Sequence, residues 1–167
     1  MCGIVGYIGA QDAAPILLEG LGRLEYRGYD SAGVAVVGRS GLKIRKSQGR
    51  VADLAAGLPA RFKGAPGIGP TRWATHGGPT DQNAHPHLAD EAKLAVIHNG
   101  IIENFAELKE KLRAEGHTFE SQTDTEVAAK LIGRCFTGEA QGDLTEAMRL
   151  ASNELEGAFT LLAVHAD

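Results

Sequence analysis

The sequence predicts an α+β fold in which helices cover a sheet, and three observations lead to this prediction. The 167 residues suit a single domain, because a chain of this length can bury roughly 70% of its unfolded surface. Strand-like and helix-like segments follow one another in blocks, as in α+β proteins. The 22 glycines cluster at turns between apolar runs and form no repeat.

The first third of the chain predicts a strand, a helix and two further strands. Residues 4–8 form an apolar run typical of a buried strand. Asp12 can cap the following helix, whose first turn tolerates Pro15 and which ends at Arg27-Gly28. Its apolar stripe consists of Leu17, Leu18, Leu21 and Leu24. Residues 33–38 and 42–46 predict neighbouring strands joined by a turn at residues 38–41, and residues 51–58 predict a short helix.

The middle of the chain is less regular. Residues 64–69 predict a loop of glycine and proline, which leads into residues 71–75 before a break at residues 76–79. Residues 80–90 are polar and show no periodicity. Residues 93–98 predict a second buried strand, and Asn99-Gly100 is a strong turn signal at its end.

Three helices and a last strand are predicted for the remainder. Two of the helices start with capping-box pairs, Asn104 with Glu107 and Thr123 with Glu126. The apolar stripes are Phe105, Leu108 and Leu112, then Val127, Leu131 and Cys135, then Leu144, Met148, Ala151 and Leu155. Cys135 is therefore predicted to lie in the core, and residues 158–164 predict the final strand.

Composition limits the classes of partner and the cellular compartment. The net charge is -4 and the sequence has no basic block, so neither nucleic acid nor a membrane is an expected partner. Two cysteines are too few for a disulfide framework, which predicts a reducing, cytoplasmic setting. No signal peptide or membrane-length apolar run is seen, so the chain is expected to be soluble.

Cys2 is the first candidate for chemistry. If Met1 is removed, Cys2 carries both a thiol with a reference pKa of about 8.5 and an α-amine with one of about 7.7–8.0. The amine can then take the proton of the thiol, so that one residue supplies nucleophile and base. The alternative reading is that Cys2 is a small buried hydrophobic residue.

Five segments, taken in order, resemble the motifs of the class II glutamine amidotransferases, which are N-terminal nucleophile hydrolases. They are Cys2-Gly3-Ile4-Val5-Gly6, Arg27-Gly28-Tyr29-Asp30-Ser31-Ala32-Gly33, Thr71-Arg72-Trp73-Ala74-Thr75-His76-Gly77, His98-Asn99-Gly100-Ile101-Ile102-Glu103-Asn104 and Thr123-Asp124-Thr125-Glu126. The second and third most resemble the glutaminase domains of the isomerising glucosamine-6-phosphate synthases. The resemblance implies a four-layer α/β/β/α sandwich with two antiparallel sheets between helices and Cys2 at the start of a strand.

The resemblance also implies a reaction. The Cys2 thiolate attacks the side-chain amide of L-glutamine, ammonia leaves, and water hydrolyses the resulting glutamyl thioester. Asn99 and the backbone N–H of Gly100 stabilise the oxyanion. Arg72 binds the α-carboxylate of glutamine, and Asp124 binds its α-ammonium group.

Four further residues have lesser implied roles. Thr75 and His76 line the substrate site, Trp73 lies near the exit of ammonia, and Arg27 supports the nucleophile. Ordinary readings remain for several of these positions: a hairpin turn at Asn99-Gly100, a solvated strand-end arginine at Arg72, and an acid favoured by the helix dipole at Asp124.

No cofactor and no metal are expected. Four histidines, His76, His85, His87 and His98, could be mistaken for a metal site, but the sequence has no helical His-x-x-x-His pair and no cysteine pair. The resemblance implies that residues 1–167 are one glutaminase domain that lacks its C-terminal part and the sugar isomerase domains. Those domains are the expected partners besides L-glutamine, and a homodimer is possible.

Two other functions stay open at the level of sequence. An amide hydrolase of the same superfamily could act on a substrate that is not an amino acid, but it would have no use for both Arg72 and Asp124. A catalytically silent module could bind glutamine or a partner without turnover, and an assay of ammonia release separates it from an enzyme.

Overall fold

The computed structural model describes residues 2–89 and 91–166, and it shows two antiparallel sheets stacked between two layers of helices. The larger sheet contains β1 (Gly3–Tyr7), β2 (Ser31–Gly38), β3 (Gly41–Gln48) and β4 (Gly67–Arg72), in the spatial order β1-β4-β2-β3. The smaller sheet contains β5 (His87–Ala89), β6 (Leu94–Ile102) and β7 (Gly157–His165), in the order β5-β6-β7. The implied four-layer α/β/β/α sandwich is confirmed.

The helices divide between the two outer faces of the sandwich. Helices α1 (Ala13–Leu24) and α2 (Val51–Ala56) pack on the larger sheet, and a 3-10 turn (Glu25–Arg27) follows α1. Helices α3 (Phe105–Ala114), α4 (Asp124–Thr137) and α5 (Leu144–Glu154) pack on the smaller sheet. Cys135 of α4 is buried in that layer, as its position in the apolar stripe predicted. Within the described residues, no helix is long and apolar enough to cross a membrane.

Side-chain alternation along the central strands produces three separate apolar clusters. In β2, Val34 and Val36 face the helices, whereas Ala35 and its neighbour Val37 face the other sheet. β6 behaves in the same way, since its even-numbered apolar residues face α4 and its odd-numbered ones face the larger sheet. The space between the sheets is therefore filled by side chains from both sheets. Residues at the same alternate positions further along these strands point into the same space.

The predicted turn at Asn99-Gly100 is wrong, because β6 continues through both residues to Ile102. Asn99 lies opposite Thr160 and Gly100 opposite Phe159, in an unchanged register with β7. Gly100 has a φ of 131°, and a Cβ there would lie 2.1 Å from the carbonyl oxygen of Ala158. Only glycine fits this backbone, so Gly100 serves the strand rather than a hairpin turn.

The predicted loop at residues 64–69 is also wrong from Gly67 onward, where β4 begins. β4 lies between β1 and β2, and α1 crosses it closely: a Cβ on Gly67 would lie 2.8 Å from the Cβ of Ala13. Glycines that signal a loop in the sequence here allow a helix to approach a central strand. β5 was not predicted in the polar stretch of residues 80–90, because three residues are too few to show periodicity.

Helix starts were predicted at the right places, but their side chains bond differently from the prediction. Asp12 precedes α1, yet its Oδ1 accepts the N–H of Gly64 at 3.1 Å. Asn104 precedes α3 and joins it to the segment after α5, accepting from Glu156 N at 3.0 Å. Thr123 does cap α4, because its Oγ1 accepts from Glu126 N at 3.2 Å. The side chains of Asp12 and Asn104 instead bind groups that are distant in the sequence, and local sequence cannot show such partners.

Candidate active site

Three strands direct three of the predicted site residues toward the same end of the space between the sheets. Cys2, Arg72 and Asn99 each stand at an even spacing from a residue that faces this space, namely Ile4, Ile68 and Ile97. Because side chains alternate along a strand, the three residues share that orientation. Gly3 pairs with Thr71, which places Cys2 beside Arg72 at the end of the β1–β4 ladder.

Cys2 is held by contacts to its nitrogen, its sulfur and its carbonyl. Its backbone nitrogen donates to Asn99 Oδ1 at 3.1 Å, and its Sγ lies 3.5 Å from the backbone nitrogen of Trp73. Arg27 Nε donates to the carbonyl oxygen of Cys2 at 3.4 Å. The reading of Cys2 as an ordinary buried hydrophobic residue is not favoured, since its side chain is only half-buried among polar groups.

Thr71 and Asp30, for which the sequence predicts no role, hold the strand ends around Cys2. Thr71 Oγ1 accepts from Gly3 N at 3.0 Å, which fixes the first residue of β1 on β4. Asp30 Oδ2 accepts from Ala74 N at 2.7 Å, and Asp30 N donates to the carbonyl of Arg72 at 3.1 Å. Asp30 lies in the motif of residues 27–33 and Thr71 in that of residues 71–77, but only the fold shows which backbone groups they bind.

Arg72 is buried, with 3% of its surface exposed, so the reading of a solvated strand-end arginine is wrong. Its guanidinium donates to the carbonyls of His76, Gly77 and Gly78 at 2.5, 2.9 and 3.2 Å. Burial lowers the pKa of Arg72, while the nearby Cys2, Asp30 and Asp124 oppose this change. No carboxylate among the described residues lies within 4.0 Å of the guanidinium, so within that part of the chain the cation makes no direct ion pair.

Asp124 is the corresponding buried acid, at the first position of α4 and 3% exposed. Its Oδ2 accepts the backbone N–H of Ile102 at 3.1 Å. His76 Nδ1 lies 3.8 Å from Oδ2 and His98 Nδ1 lies 4.0 Å from Oδ1, but no lysine or arginine of the described chain lies within 4.0 Å. A buried carboxylate without a full cationic partner is costly, so the helix dipole, which favours an acid in the first turn by about 0.3–1 kcal/mol, does not by itself account for Asp124.

The remaining predicted residues surround these two charges. His76 is half-buried in the turn that Arg72 binds, and its ring packs on Phe105 at a centroid distance of 4.7 Å. Thr75 is exposed in the same turn. Trp73 is 46% exposed, and its ring meets that of Tyr29 edge-on at 5.8 Å. Gly100 follows Asn99 in β6, so its backbone lies beside the Asn99 side chain that contacts Cys2.

His85, His87 and His98 form a cluster of buried rings. Among residues 2–89 and 91–166, no group of three or more His, Cys, Asp or Glu side chains could hold a metal ion. His85 and His87 are buried, and burial lowers the pKa of His85 well below its ordinary value and that of His87 to about 3. Burial also lowers the pKa of His98, although Asp124 opposes the change. The three rings are therefore neutral near pH 7.

The site thus combines a cysteine at a strand start, an amide that contacts its nitrogen, a buried cation and a buried anion. A zwitterion with an α-carboxylate and an α-ammonium group supplies the two charges that Arg72 and Asp124 lack. A side-chain amide on the same molecule would be the electrophile for the Cys2 thiol.

Comparison with known proteins gives a family and several relatives. The family model described as a glutamine amidotransferase domain matches residues 73–167. A protein of Corynebacterium diphtheriae named glutamine-fructose-6-phosphate aminotransferase (isomerizing) is 58% identical over 176 residues, and a Thermus thermophilus protein of the same name is 53% identical over 168 residues. Each comparison includes 100% of this chain, but the chain spans only 28% and 27% of these relatives' length.

Solved structures share the fold. The B. subtilis glutamine phosphoribosylpyrophosphate amidotransferase complexed with ADP and GMP aligns with a TM-score of 0.83 and 28% identity, covering 99% of this chain and 35% of that one. A class II glutamine aminotransferase domain protein from Silicibacter pomeroyi aligns with a TM-score of 0.57 and 16% identity, covering 99% of this chain and 73% of that one. The second similarity concerns the fold alone.

Proposed function

The chain belongs to the glutamine amidotransferase family, and on that premise we propose that it hydrolyses the side-chain amide of L-glutamine to glutamate and ammonia with Cys2 as the nucleophile. The observation that supports this proposal best is the contact of the Cys2 nitrogen with Asn99 Oδ1 at 3.1 Å. It joins a nucleophile at the start of β1 to the side chain of an oxyanion donor on β6. The contact also holds the nitrogen that becomes the base once Met1, which lies outside the described residues, is removed.

The reaction has two halves. In the first, the Cys2 amine takes the thiol proton, the thiolate adds to the amide carbon, and the C–N bond breaks as the amine passes that proton to the leaving ammonia. The product is a glutamyl thioester on Cys2. In the second half, water attacks the thioester carbon, the C–S bond breaks, and glutamate leaves with the thiol restored.

Asn99 and Gly100 stabilise the oxyanion of both tetrahedral intermediates in this proposal. Because Asn99 Oδ1 accepts from the Cys2 nitrogen, the Nδ2 end of the same amide is directed elsewhere and carries two N–H donors. A rigid donor placed before the reaction needs no rearrangement as charge develops, and loss of one such donor typically costs about 10²–10³ in turnover.

Arg72 and Asp124 hold the amino-acid end of glutamine. Arg72 offers a buried guanidinium to the α-carboxylate, and Asp124 offers a buried carboxylate to the α-ammonium group. Thr75 and His76 line the same site, because the turn that contains them is bound by the Arg72 guanidinium. The two charges also argue against an amide substrate that is not an amino acid.

The ammonia is proposed to serve the formation of glucosamine 6-phosphate from fructose 6-phosphate in amino-sugar synthesis. Relatives named for fructose 6-phosphate support this, but the chain spans about 28% of the length of the first of them. Residues 1–167 therefore act as one glutaminase domain, whose partners are L-glutamine and the isomerase domains of a longer enzyme. Trp73 is exposed and its backbone nitrogen contacts Cys2 Sγ, which supports a place for it near the exit of ammonia. A cytoplasmic location and a homodimer belong to the same proposal.

The test measures ammonia release together with intact mass. Protein that begins at Cys2 should release ammonia from L-glutamine and gain one adduct with a glutamine-like electrophile. Cys2→Ala should do neither, yet still bind glutamine, because Arg72 and Asp124 provide affinity. Cys135→Ala is the matched control, since this second cysteine is buried in the core. Full activity of protein whose mass includes Met1, or turnover by Cys2→Ala, would contradict the assignment of Cys2.

A further inference from the structure

Two threonines flank Asp124 in the first turn of α4, and the hydroxyl of each bonds to a histidine of the smaller sheet region. Thr123 Oγ1 lies 2.9 Å from His87 Nε2 on β5. Thr125 Oγ1 lies 2.9 Å from His98 Nδ1 on β6 and 2.9 Å from His85 Nε2 just before β5. The helix start that carries Asp124 is therefore fastened to the sheet on both sides of the carboxylate.

The Thr125 hydroxyl connects the neutral rings of His98 and His85, and its single hydrogen fixes which group donates in each of the two hydrogen bonds. A hydroxyl can donate to one ring only, so the second ring must donate to its oxygen. Asp124 Oδ1 lies 4.0 Å from His98 Nδ1, and a carboxylate favours an N–H over a lone pair on the facing nitrogen. His98 Nδ1 then donates to Thr125, and Thr125 donates to His85 Nε2.

The position of the Asp124 carboxylate depends on the His98–Thr125–His85 hydrogen bonds, because few other contacts restrain it. Among the described residues this carboxylate accepts one hydrogen bond, from the backbone of Ile102, and its two histidine neighbours lie at 3.8 and 4.0 Å, beyond hydrogen-bond distance. The position of the carboxylate thus follows the position of the first turn of α4. Thr125 is fully buried, so no water can replace its hydroxyl without rearrangement.

We propose that Thr125 is a positioning residue that acts through His98 and His85 to hold Asp124 for the α-ammonium group of the substrate. The inference rests on the proposed function and extends it, because it assigns the selection of amino acids over amides without an α-ammonium group to a residue that touches no substrate. The Cys2–Asn99 contact lies on the other face of β6 and does not involve the His98–Thr125–His85 hydrogen bonds.

The experiment separates binding of the ammonium group from chemistry. Thr125→Val keeps the shape of the side chain and removes the hydroxyl, and Thr125→Ser keeps the hydroxyl. Thr125→Val removes the hydrogen bonds to both rings, and we expect KM for glutamine to rise about fivefold to tenfold, with kcat within about twofold. Thr125→Ser should restore KM. Thr137→Val is the control, because that hydroxyl on the same helix bonds only to carbonyls of the preceding turn.

Calorimetry with glutamate and glutarate provides a readout without turnover. Glutarate lacks the α-ammonium group, so Thr125→Val should weaken glutamate binding about fivefold to tenfold and leave glutarate binding unchanged. In an Asp124→Asn background, Thr125→Val should have no further effect on glutamate. Equal weakening of both ligands, or a Thr125→Ser variant as impaired as Thr125→Val, would overturn the inference. Failure of the unmodified protein to release ammonia would instead overturn the proposed function.

Discussion

Arg72 and Asn99 differ in which state of the reaction they contact, and this difference can be measured. Arg72 would bind the α-carboxylate equally in the ground state and the transition state, whereas Asn99 contacts charge that develops only in the transition state. We expect Arg72→Lys to act mainly through KM, because lysine cannot bind three carbonyls and a carboxylate with a planar fork. Asn99→Ala should lower kcat by about 10²–10³.

Steady-state kinetics of both variants decide this distribution of roles. Arg23→Lys is the matched control, since Arg23 is an exposed arginine of α1 whose partner is Glu19. A kcat loss in Arg72→Lys together with a pure KM increase in Asn99→Ala would show that the two roles are exchanged.

The residues proposed to carry the chemistry could be named from the sequence, whereas the residues that hold them in place could not. Cys2, Arg72 and Asp124 stand in motifs where local order is enough to recognise them. Asp30 and Thr125 act through partners 44 and 40 positions away along the chain, Ala74 and His85. Such pairs are set by strand order and helix docking, which no short stretch of sequence contains.

At the scale of elements, β5 and the short segment before it bring two buried neutral histidines, His85 and His87, under α4, and the fold should weaken in acid for this reason. Burial lowers the pKa of His87 to about 3, so between pH 6.5 and 3 the unfolded chain binds a proton that the folded chain does not. The free energy of unfolding is then constant above the unfolded pKa and falls as pH decreases. With a pKa of about 3, His87 contributes about 2 kcal/mol of lost stability at pH 5, and His85, whose pKa burial also lowers, changes stability in the same direction.

Urea unfolding at pH 7.5 and pH 5 tests the contribution of His87. His87→Gln should reduce the loss of stability between the two pH values, and His117→Gln, outside the buried cluster, should leave it unchanged. If unmodified protein were equally stable at both pH values, the buried histidines would not be the groups that take up protons on unfolding.

Element boundaries show where sequence patterns were and were not sufficient. The hairpin of β2 and β3 was predicted correctly, because Gly38 pairs with Gly41 across a two-residue turn that the local sequence encodes. β4 and the end of β6 were mistaken for a loop and a turn, since glycine signals both a turn and a close approach of backbones. Which meaning applies depends on the neighbouring element, Ala13 of α1 in one case and Ala158 of β7 in the other.

At the scale of the whole molecule, β7 lies at an edge of the smaller sheet and should promote self-association. Its outer backbone has no strand partner among the described residues, and Leu162 and Val164 line an apolar cleft with Ile68 and Phe136. An open strand edge beside apolar surface is a site for pairing with a second chain. We expect dimers or larger species as concentration rises, measured by sedimentation velocity.

A charge on this edge should oppose the association. Ala158→Lys places a lysine on an exposed residue of β7, and it should shift the distribution toward monomer. A chain that stays monomeric at high concentration, and melts as cooperatively as a version extended at its C-terminus, would show that β7 needs no further partner.

The last prediction is that this chain alone has glutaminase activity only. Transfer of ammonia to fructose 6-phosphate requires a second site that binds a phosphosugar, and residues 1–167 offer neither a basic cluster nor a glycine-rich phosphate loop that opens a helix. A net charge of -4 further disfavours such an anion. Fructose 6-phosphate should therefore neither react nor change the rate of ammonia release. The protein is incubated with glutamine and fructose 6-phosphate, and glucosamine 6-phosphate is measured beside a sample without the sugar. Its formation would mean that a sugar site lies within a surface assigned here to the core or to loops.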